Sequence, residues 1–507
     1  MSNSRIIKNT FFLSIRMFVA TIIALYTSRL LLQLLGVEDF GIYNIIGGIV
    51  AMFSSLRGLF ATSVQRFLNY EMGLNKIKEL NNIFNMSIII HIFICIIFIL
   101  LAEVIGLWFI TNKLVFDPER TSAVLFVFHF SVLSAVITIL TIPYDAVLIA
   151  RERMNIFAYI YILDTLLKLG IIFILPLFSF DSLKLYSILI LCTSIIIRVI
   201  NIFYCKTKFE ECKFMFFWDR HLFKKLYKFA GWNFLGITAF SIQNEGSNIL
   251  LNIFGGPAVN AARGLAYQVR GVVTAFFGNI QTSTNPRIVK LYAQDKKKEL
   301  SNLLFIVSKI SFFLSLIIGI PVIIFTKDIL NIWLTMIPKY TISFIQFIII
   351  YQFIRVFHTP LDSLFKATGN IKMYQIVESF ILFLNLPISY LLLMQGLPLE
   401  FVFIVMIMIE FVNLFVILIM LNRKREIDII AYFKKVLYPC SQILLISGSL
   451  SYFIFYKLEI HGFLYFILYL FLCLLTILIP IWVIGLNGSE KKTIHNFTRK
   501  IYLKYKT

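Results

Sequence analysis

The chain has 507 residues, of which 59% are hydrophobic and only 14% charged, and its mean hydropathy is +0.87. A soluble globular protein carries about 25% charge, and 53 Phe against 12 Pro exclude a disordered, collagenous or coiled-coil chain. Lys and Arg outnumber Asp and Glu by 47 to 26, a net charge of +21. In so apolar a chain that excess predicts an integral membrane protein with basic loops on one side, and no nucleic-acid partner.

The basic start, MSNSRIIKNT, runs into a long apolar stretch with no small-residue cleavage site. It reads as the first span and not as a signal peptide. A span needs about 20 mostly apolar residues. Fourteen such segments follow in order, at 10–36, 40–65, 82–111, 121–150, 156–178, 183–205, 228–254, 257–285, 300–326, 340–365, 374–395, 398–421, 433–456 and 461–486. The longest loop, 206–227, is basic and aromatic and suits a helix lying on the membrane surface. Cys95, Cys192, Cys205, Cys212, Cys440 and Cys473 form no C-x-x-C pair and have no His at metal spacing, so no metal, disulfide framework or cofactor is expected.

Assigning Lys and Arg to alternate sides puts 32 on the face that holds both termini and 6 on the other. By the positive-inside rule both termini lie in the cytoplasm. The remaining nine fall within spans: Arg16, Arg29, Arg57, Lys168, Arg198, Arg263, Arg270, Lys309 and Arg355.

An ungapped shift of 220 residues places Gly36 on Gly256, Gly58 on Gly278, Pro118 on Pro338, and KELNN at 78–82 on KELSN at 298–302. A shift of 217 places PYDAVLIA at 143–150 on PLDSLFKA at 360–367. Fixed-period self-similarity predicts two related halves. An even number of spans per half makes them parallel, with a cavity between them. The expected organisation is an N-lobe at 1–205 (spans 1–6), a basic cytoplasmic linker at 206–227, a C-lobe at 228–421 (spans 7–12), and a segment at 422–507 with spans 13 and 14 and a basic tail.

An ionised group at bilayer depth costs about 2.5–3.5 kcal/mol on insertion scales, so it usually faces the bundle interior. Spans 1, 2, 7 and 8 carry Arg16, Arg29, Arg57, Arg263, Arg270 and Glu245 among Tyr, Ser, Asn and Gln; span 10 adds Arg355. This pattern predicts a wet, cationic cavity for an anion, and the planar guanidinium fork suits phosphate. The arginines nearer span ends could instead snorkel to an interface. Glu245 either neutralises a neighbouring Arg or couples transport to a proton or sodium gradient. Asp145 and Asp362 sit beside Pro143 and Pro360 at equivalent repeat positions, as structural or gating residues. Asp164 and Lys168, four apart, should pair.

Several stretches resemble bacterial O-antigen flippases of the multidrug/oligosaccharidyl-lipid/polysaccharide exporter superfamily. They are NTFFLSIRMFVATIIALYTSRLLLQLLGVEDFGIYNIIGGIVAMF, SVQRFLNYEMG, GWNFLG, NILLNIFGGPAVNAARGLAYQVRG and NPRIVKLYA. The resemblance covers the whole chain. It implies an all-α membrane protein of about 14 helices, with two parallel six-helix lobes in a V around a central cavity and two extra C-terminal helices. It also implies a transporter and not an enzyme, located in the bacterial inner membrane. The implied substrate is an undecaprenyl-pyrophosphate-linked oligosaccharide, moved to the periplasmic leaflet by alternating access. Membrane lipids and polysaccharide-assembly membrane proteins are the other implied partners. By similarity to the related lipid II flippase, arginines on spans 1, 2 and 8 would line the cavity; here those spans hold Arg29, Arg57, and Arg263 or Arg270. Two alternatives remain: a multidrug/cation antiporter of the same fold, and a membrane glycosyltransferase or polymerase. The arginine excess argues against the first, and the short external loops against the second.

Overall fold

In the computed structural model the described residues are 3–54, 64, 68, 77–151, 153–455, 463–488, 490 and 491. They form helices and short connections, with no strand among them. The helices are α1 (Asn3–Ser54), α2 (Ile77–Leu101, extended by a π turn at Ala102–Gly106 and by Leu107–Lys113), α3 (Thr121–Ala150), α4 (Met154–Ile174), α5 (Ser182–Lys208) and α6 (Arg220–Gly255). They continue with α7 (Pro257–Ala293), α8 (Lys297–Ile324), α9 (Thr326–Trp333), α10 (Thr341–Ala367), α11 (Lys372–Phe383), α12 (Asn385–Met394), α13 (Phe401–Arg423), α14 (Ile429–Tyr432), α15 (Tyr438–Phe455) and α16 (Phe463–Pro480).

Eleven helical stretches among the described residues are long and apolar enough to cross a membrane, against the fourteen spans expected. The difference lies at three places. The first two spans are joined in one stretch, Val19–Met52, within which a kink at Gly36 (φ 76°, ψ 174°) separates two helices close to where the spans were expected to divide. The helices α6 and α7 are 36 and 37 residues long. Gln243, Asn244, Glu245, Arg263, Gln268 and Arg270 make them too polar to stand out by hydropathy. Beside an apolar core, several polar side chains are buried and many large apolar ones face outward. Asn85, Gln243, Asn260, Asn413 and Glu410 are buried, while Phe453 and Leu464 are more than 80% exposed. That pattern fits a hydrocarbon surround, where an outward Phe costs nothing and an outward polar group does.

One compact unit comprises residues 1–268, 333–341 and 375–405. In it α3 packs on α5, α1 runs against α3, α4 and α6, and α12 packs on α6. Arg120 ties three segments together, with Nη2 2.5 Å from Asp39 and Nη1 2.6 Å from Asp181. Asp181 also accepts from the Leu183 and Lys184 N–H groups and so caps α5. Burial pushes the Asp181 carboxyl up, but the Lys184 N–H and Arg120 outweigh it and hold it below its ordinary value. The other unit comprises 269–332, 342–374 and 406–507, in which α8, α15 and α16 pack on one another. Lys309 of α8 is 3% exposed and holds both Glu490 oxygens at 2.8–3.0 Å.

The internal repeat is visible in backbone geometry. Gly36 (φ 76°, ψ 174°) and Gly256 (φ 75°, ψ −177°), which correspond at the 220-residue shift, share one conformation. That region of φ/ψ space is open essentially to glycine alone. Each glycine turns the chain between two long helical segments. The same period relates two turns in which a threonine hydroxyl donates to a proline carbonyl three residues back: Thr121 to Pro118 and Thr341 to Pro338, both at 2.7 Å. A Cβ at Gly36 or Gly256 would meet no atom within 4 Å, so the cost of adding one is conformational. Gly36→Ala and Gly256→Ala should each destabilise the fold by about 1–3 kcal/mol. Unfolding of the purified variants checks this, and an unchanged midpoint in both would count against the shared constraint.

Candidate functional site

In the second unit the structure joins two of the predicted arginines through one network. Arg270 on α7 donates from Nε to Gln352 Oε1 at 3.2 Å, and its guanidinium carbon lies 5.0 Å from the centre of the Tyr351 ring. Tyr351 in turn donates to Glu410 Oε2 at 3.3 Å. Arg355, one turn beyond Tyr351 on α10, places Nη1 3.0 and 3.2 Å from the two Glu410 oxygens. The Glu410 side chain is fully buried. Helix periodicity explains the geometry: Tyr351 and Arg355 are four apart and share a face. Nothing in the sequence singled out Tyr351 or Gln352; the i, i+4 spacing to Arg355 was the available signal.

Arg263 and Glu245 meet in the first unit. Arg263 is 5% exposed. Its Nη2 donates to the Asn244 carbonyl at 2.6 Å, and Nη1 is 3.8 Å from Glu245 Oε2. The guanidinium stacks 3.9 Å from the Tyr267 ring centre, within cation–π range, and Tyr267 donates to Asn244 Oδ1 at 3.0 Å. Of the two readings open for Glu245, the neutralising one thus has a named partner. Beside this cluster, an amide chain runs from Asn248 through Asn260 to Asn252, which exchanges hydrogen bonds with the Val115 backbone. Gly48 leaves room for Glu245, since a Cβ there would collide with the carboxylate. Asn44 and its repeat counterpart Gly264 touch: a Cβ on Gly264 would lie 2.5 Å from Asn44 Oδ1.

The remaining predicted residues are separate from these two groups. Asp145 accepts from Arg198 at 3.0 Å and from Asn201 at 2.5 Å, while Asp362 pairs with Lys366 at 2.7 Å. The prolines interrupt no helix: α3 continues past Pro143 and α10 past Pro360. Lacking an N–H, Pro360 frees the carbonyl of Val356, and Gln281 Nε2 donates to it at 3.0 Å. Arg29 is half-buried on α1. Arg57 and the side chain of Arg16 lie outside the described residues.

A cavity of about 250 Å³ opens in the first unit between α1, α4, α5 and α7. Its polar lining includes Thr27, Tyr43, Asn44, Asp164, Lys168 and Gln268. Lys168 Nζ is 2.7 Å from Asp164 Oδ2, the pairing their spacing predicts. Thr27 Oγ1 and Gln268 Oε1 are buried with no protein partner among the described residues, so the cavity holds hydrogen-bonding capacity for a ligand. Among the described residues no group of three or more His, Cys, Asp or Glu could hold a metal ion.

A family model described as MatE matches residues 235–391. No curated protein matches the sequence. An inward-facing multidrug-resistance MATE transporter of the MOP superfamily is similar in structure, with a TM-score of 0.69 at 15% identity over 83% of this chain and 98% of its own. The lipid II flippase MurJ, in an inward-closed conformation, gives 0.69 at 15% identity over 93% of this chain and 97% of its own. A MOP-superfamily transporter from Pyrococcus furiosus, described as having a binding pocket of reversed polarity, gives 0.62 at 16% identity over 84% and 96%. The chain has the fold of these multi-pass membrane transporters.

Proposed function

We propose that this protein is a flippase. Its cargo would be an undecaprenyl-pyrophosphate-linked oligosaccharide, carried from the cytoplasmic to the periplasmic leaflet of a bacterial inner membrane. The observation that carries the reading is how far each structural likeness extends. The multidrug-resistance transporter is itself covered to 98% yet reaches only 83% of this chain, whereas the lipid II flippase reaches 93%. The additional length is shared with a flippase of lipid II.

The chemistry of the chain agrees. Such a cargo has an anionic head that cannot enter hydrocarbon and a tail that need not leave it. Arg270, oriented by Gln352 and Tyr351, would hold the pyrophosphate, with Arg29, Arg57, Arg263, Arg16 and Arg355 as further cationic groups along the path. The hydroxyl and amide lining of the 250 Å³ cavity suits the hydroxyl-rich glycan. Alternating access would separate the Asn44–Gly264 contact. Protonation of Glu245, or a sodium ion there, would loosen its hold on Arg263 and so link movement to a gradient. Pro143 and Pro360, with Asp145 and Asp362 close by, would be the points where helices flex. The 32-to-6 distribution of basic residues supports cytoplasmic termini.

The test is transport by the purified protein in proteoliposomes, offered either a fluorescent polyprenyl-pyrophosphate glycan or the cationic dye rhodamine 6G. Net translocation of the glycan lipid without dye uptake is expected. Dye uptake without glycan movement would replace the reading with the multidrug one.

A further inference from the structure

A second cavity, of about 540 Å³, lies in the second unit, away from the arginine network. It is formed by the start of α8, the end of α13 and the segment through α14 that follows. Lys297, Lys298, Arg425 and Lys435 line it, together with the carboxylates of Glu426 and Asp428. Three of these charges have a definable status. Lys435 sits 6.0 Å from the Phe305 ring centre, within cation–π range. Asp428 is committed to the N–H groups of Ile430 and Ala431 as the cap of α14. Glu426 differs: Tyr292 reaches Oε1 at 3.5 Å, but Oε2 is buried and accepts no hydrogen bond. A buried carboxylate oxygen without a donor is costly, so Glu426 leaves an unsatisfied acceptor at this site.

The turn after α13 bears on the same point. The Glu426 N–H bonds to the Leu421 carbonyl and the Arg425 N–H to that of Asn422, the two bonds that close a Schellman cap. The residue between helix and loop takes φ 57°, where glycine is usual, yet it is Arg425. Beyond the cavity Ile430, Phe433 and Tyr438 are each at least 50% exposed, an apolar rim suited to acyl chains. The loops that form the cavity are those assigned to the cytoplasmic side by the distribution of basic residues.

We infer that this cavity binds a zwitterionic phospholipid headgroup of the phosphatidylethanolamine type. Lys297, Lys298, Arg425 and Lys435 surround the phosphate. Glu426 Oε2 accepts from the primary ammonium, and the chains leave over the apolar rim. Basic pockets at the cytoplasmic ends of membrane helices are recurrent headgroup sites; the buried acceptor adds selectivity for an amine that can donate.

Native mass spectrometry of the full-length protein in detergent tests this with four probes: phosphatidylethanolamine, phosphatidylcholine, phosphatidylglycerol and soluble phosphoethanolamine. Wild-type protein should retain phosphatidylethanolamine at least about tenfold better than the other two lipids, the ratio that one buried charged hydrogen bond supplies. Glu426→Gln should reduce that preference toward parity. Lys298→Ala should weaken all three lipids together. Arg425→Gly relieves the left-handed backbone, so it should fold at least as well as wild type and still bind lipid less tightly. Equal retention of phosphatidylethanolamine and phosphatidylcholine by wild-type protein would overturn the inference. So would displacement of the lipid by phosphoethanolamine at equal concentration, which would make the ligand soluble. Transport in proteoliposomes is a separate readout, so failure of the flippase reading leaves this test intact.

Discussion

Glu410→Ala should be among the most destabilising single substitutions in this protein, costing about 3–5 kcal/mol. The fully buried carboxylate accepts from Arg355 through both oxygens and from Tyr351 through one. Truncating it leaves a cation inside the bundle without that counter-charge, and the loss exceeds what the pair itself contributes. Replacing both members, as Arg355→Met with Glu410→Met, should recover most of the stability, because the buried charges leave together. Denaturant unfolding of the two proteins in detergent measures the difference. If the single variant matched wild type, or the double variant were worse than the single, the charge-balance argument would fail. Glu410→Gln should fall between, since an amide oxygen can still accept from Tyr351.

Much of the architecture was legible in the sequence because hydrocarbon imposes it. A helix must satisfy its own backbone in lipid, so apolar runs mark helices directly, and each of the eleven spanning stretches overlaps an expected segment. The repeat was legible for a different reason. Gly36 and Gly256 hold a conformation that other residues resist, so glycine had to recur at the 220-residue shift. Pairing within a helix was also readable: Asp164 with Lys168 follows from spacing alone. The spans at 228–254 and 257–285 were legible too, as α6 and α7, although their polar residues weaken the apolar signal. Partners distant in sequence were concealed. That Arg355 is held by Glu410, Arg263 by Glu245 and Asn244, and Arg198 by Asp145 depends on how helices pack, and no local pattern encodes it. Gln281 shows the limit clearly. It is one of the polar residues of span 8, yet it is buried and serves the carbonyl that Pro360 leaves open.

The network around Arg270 bears most on function. A guanidinium oriented by Gln352 and the Tyr351 ring is partly preorganised, so less entropy is lost when it meets an anion. Hydrogen bonds to a charged partner are worth about 1.5–3 kcal/mol each. Removing a bidentate contact to pyrophosphate should therefore cost about 3 kcal/mol, or about 100-fold in affinity. Arg270→Lys keeps the charge but not the planar fork, and should lose about tenfold. Both variants retain Arg355 and Glu410, so both should insert and fold. The decisive measurement is the initial rate of translocation of a fluorescent polyprenyl-pyrophosphate glycan in proteoliposomes holding equal amounts of wild-type protein, Arg270→Lys or Arg270→Ala, at cargo concentrations below saturation. Rates should fall in that order, by about tenfold and then about 100-fold. A wild-type rate from Arg270→Ala would rule out pyrophosphate binding by Arg270.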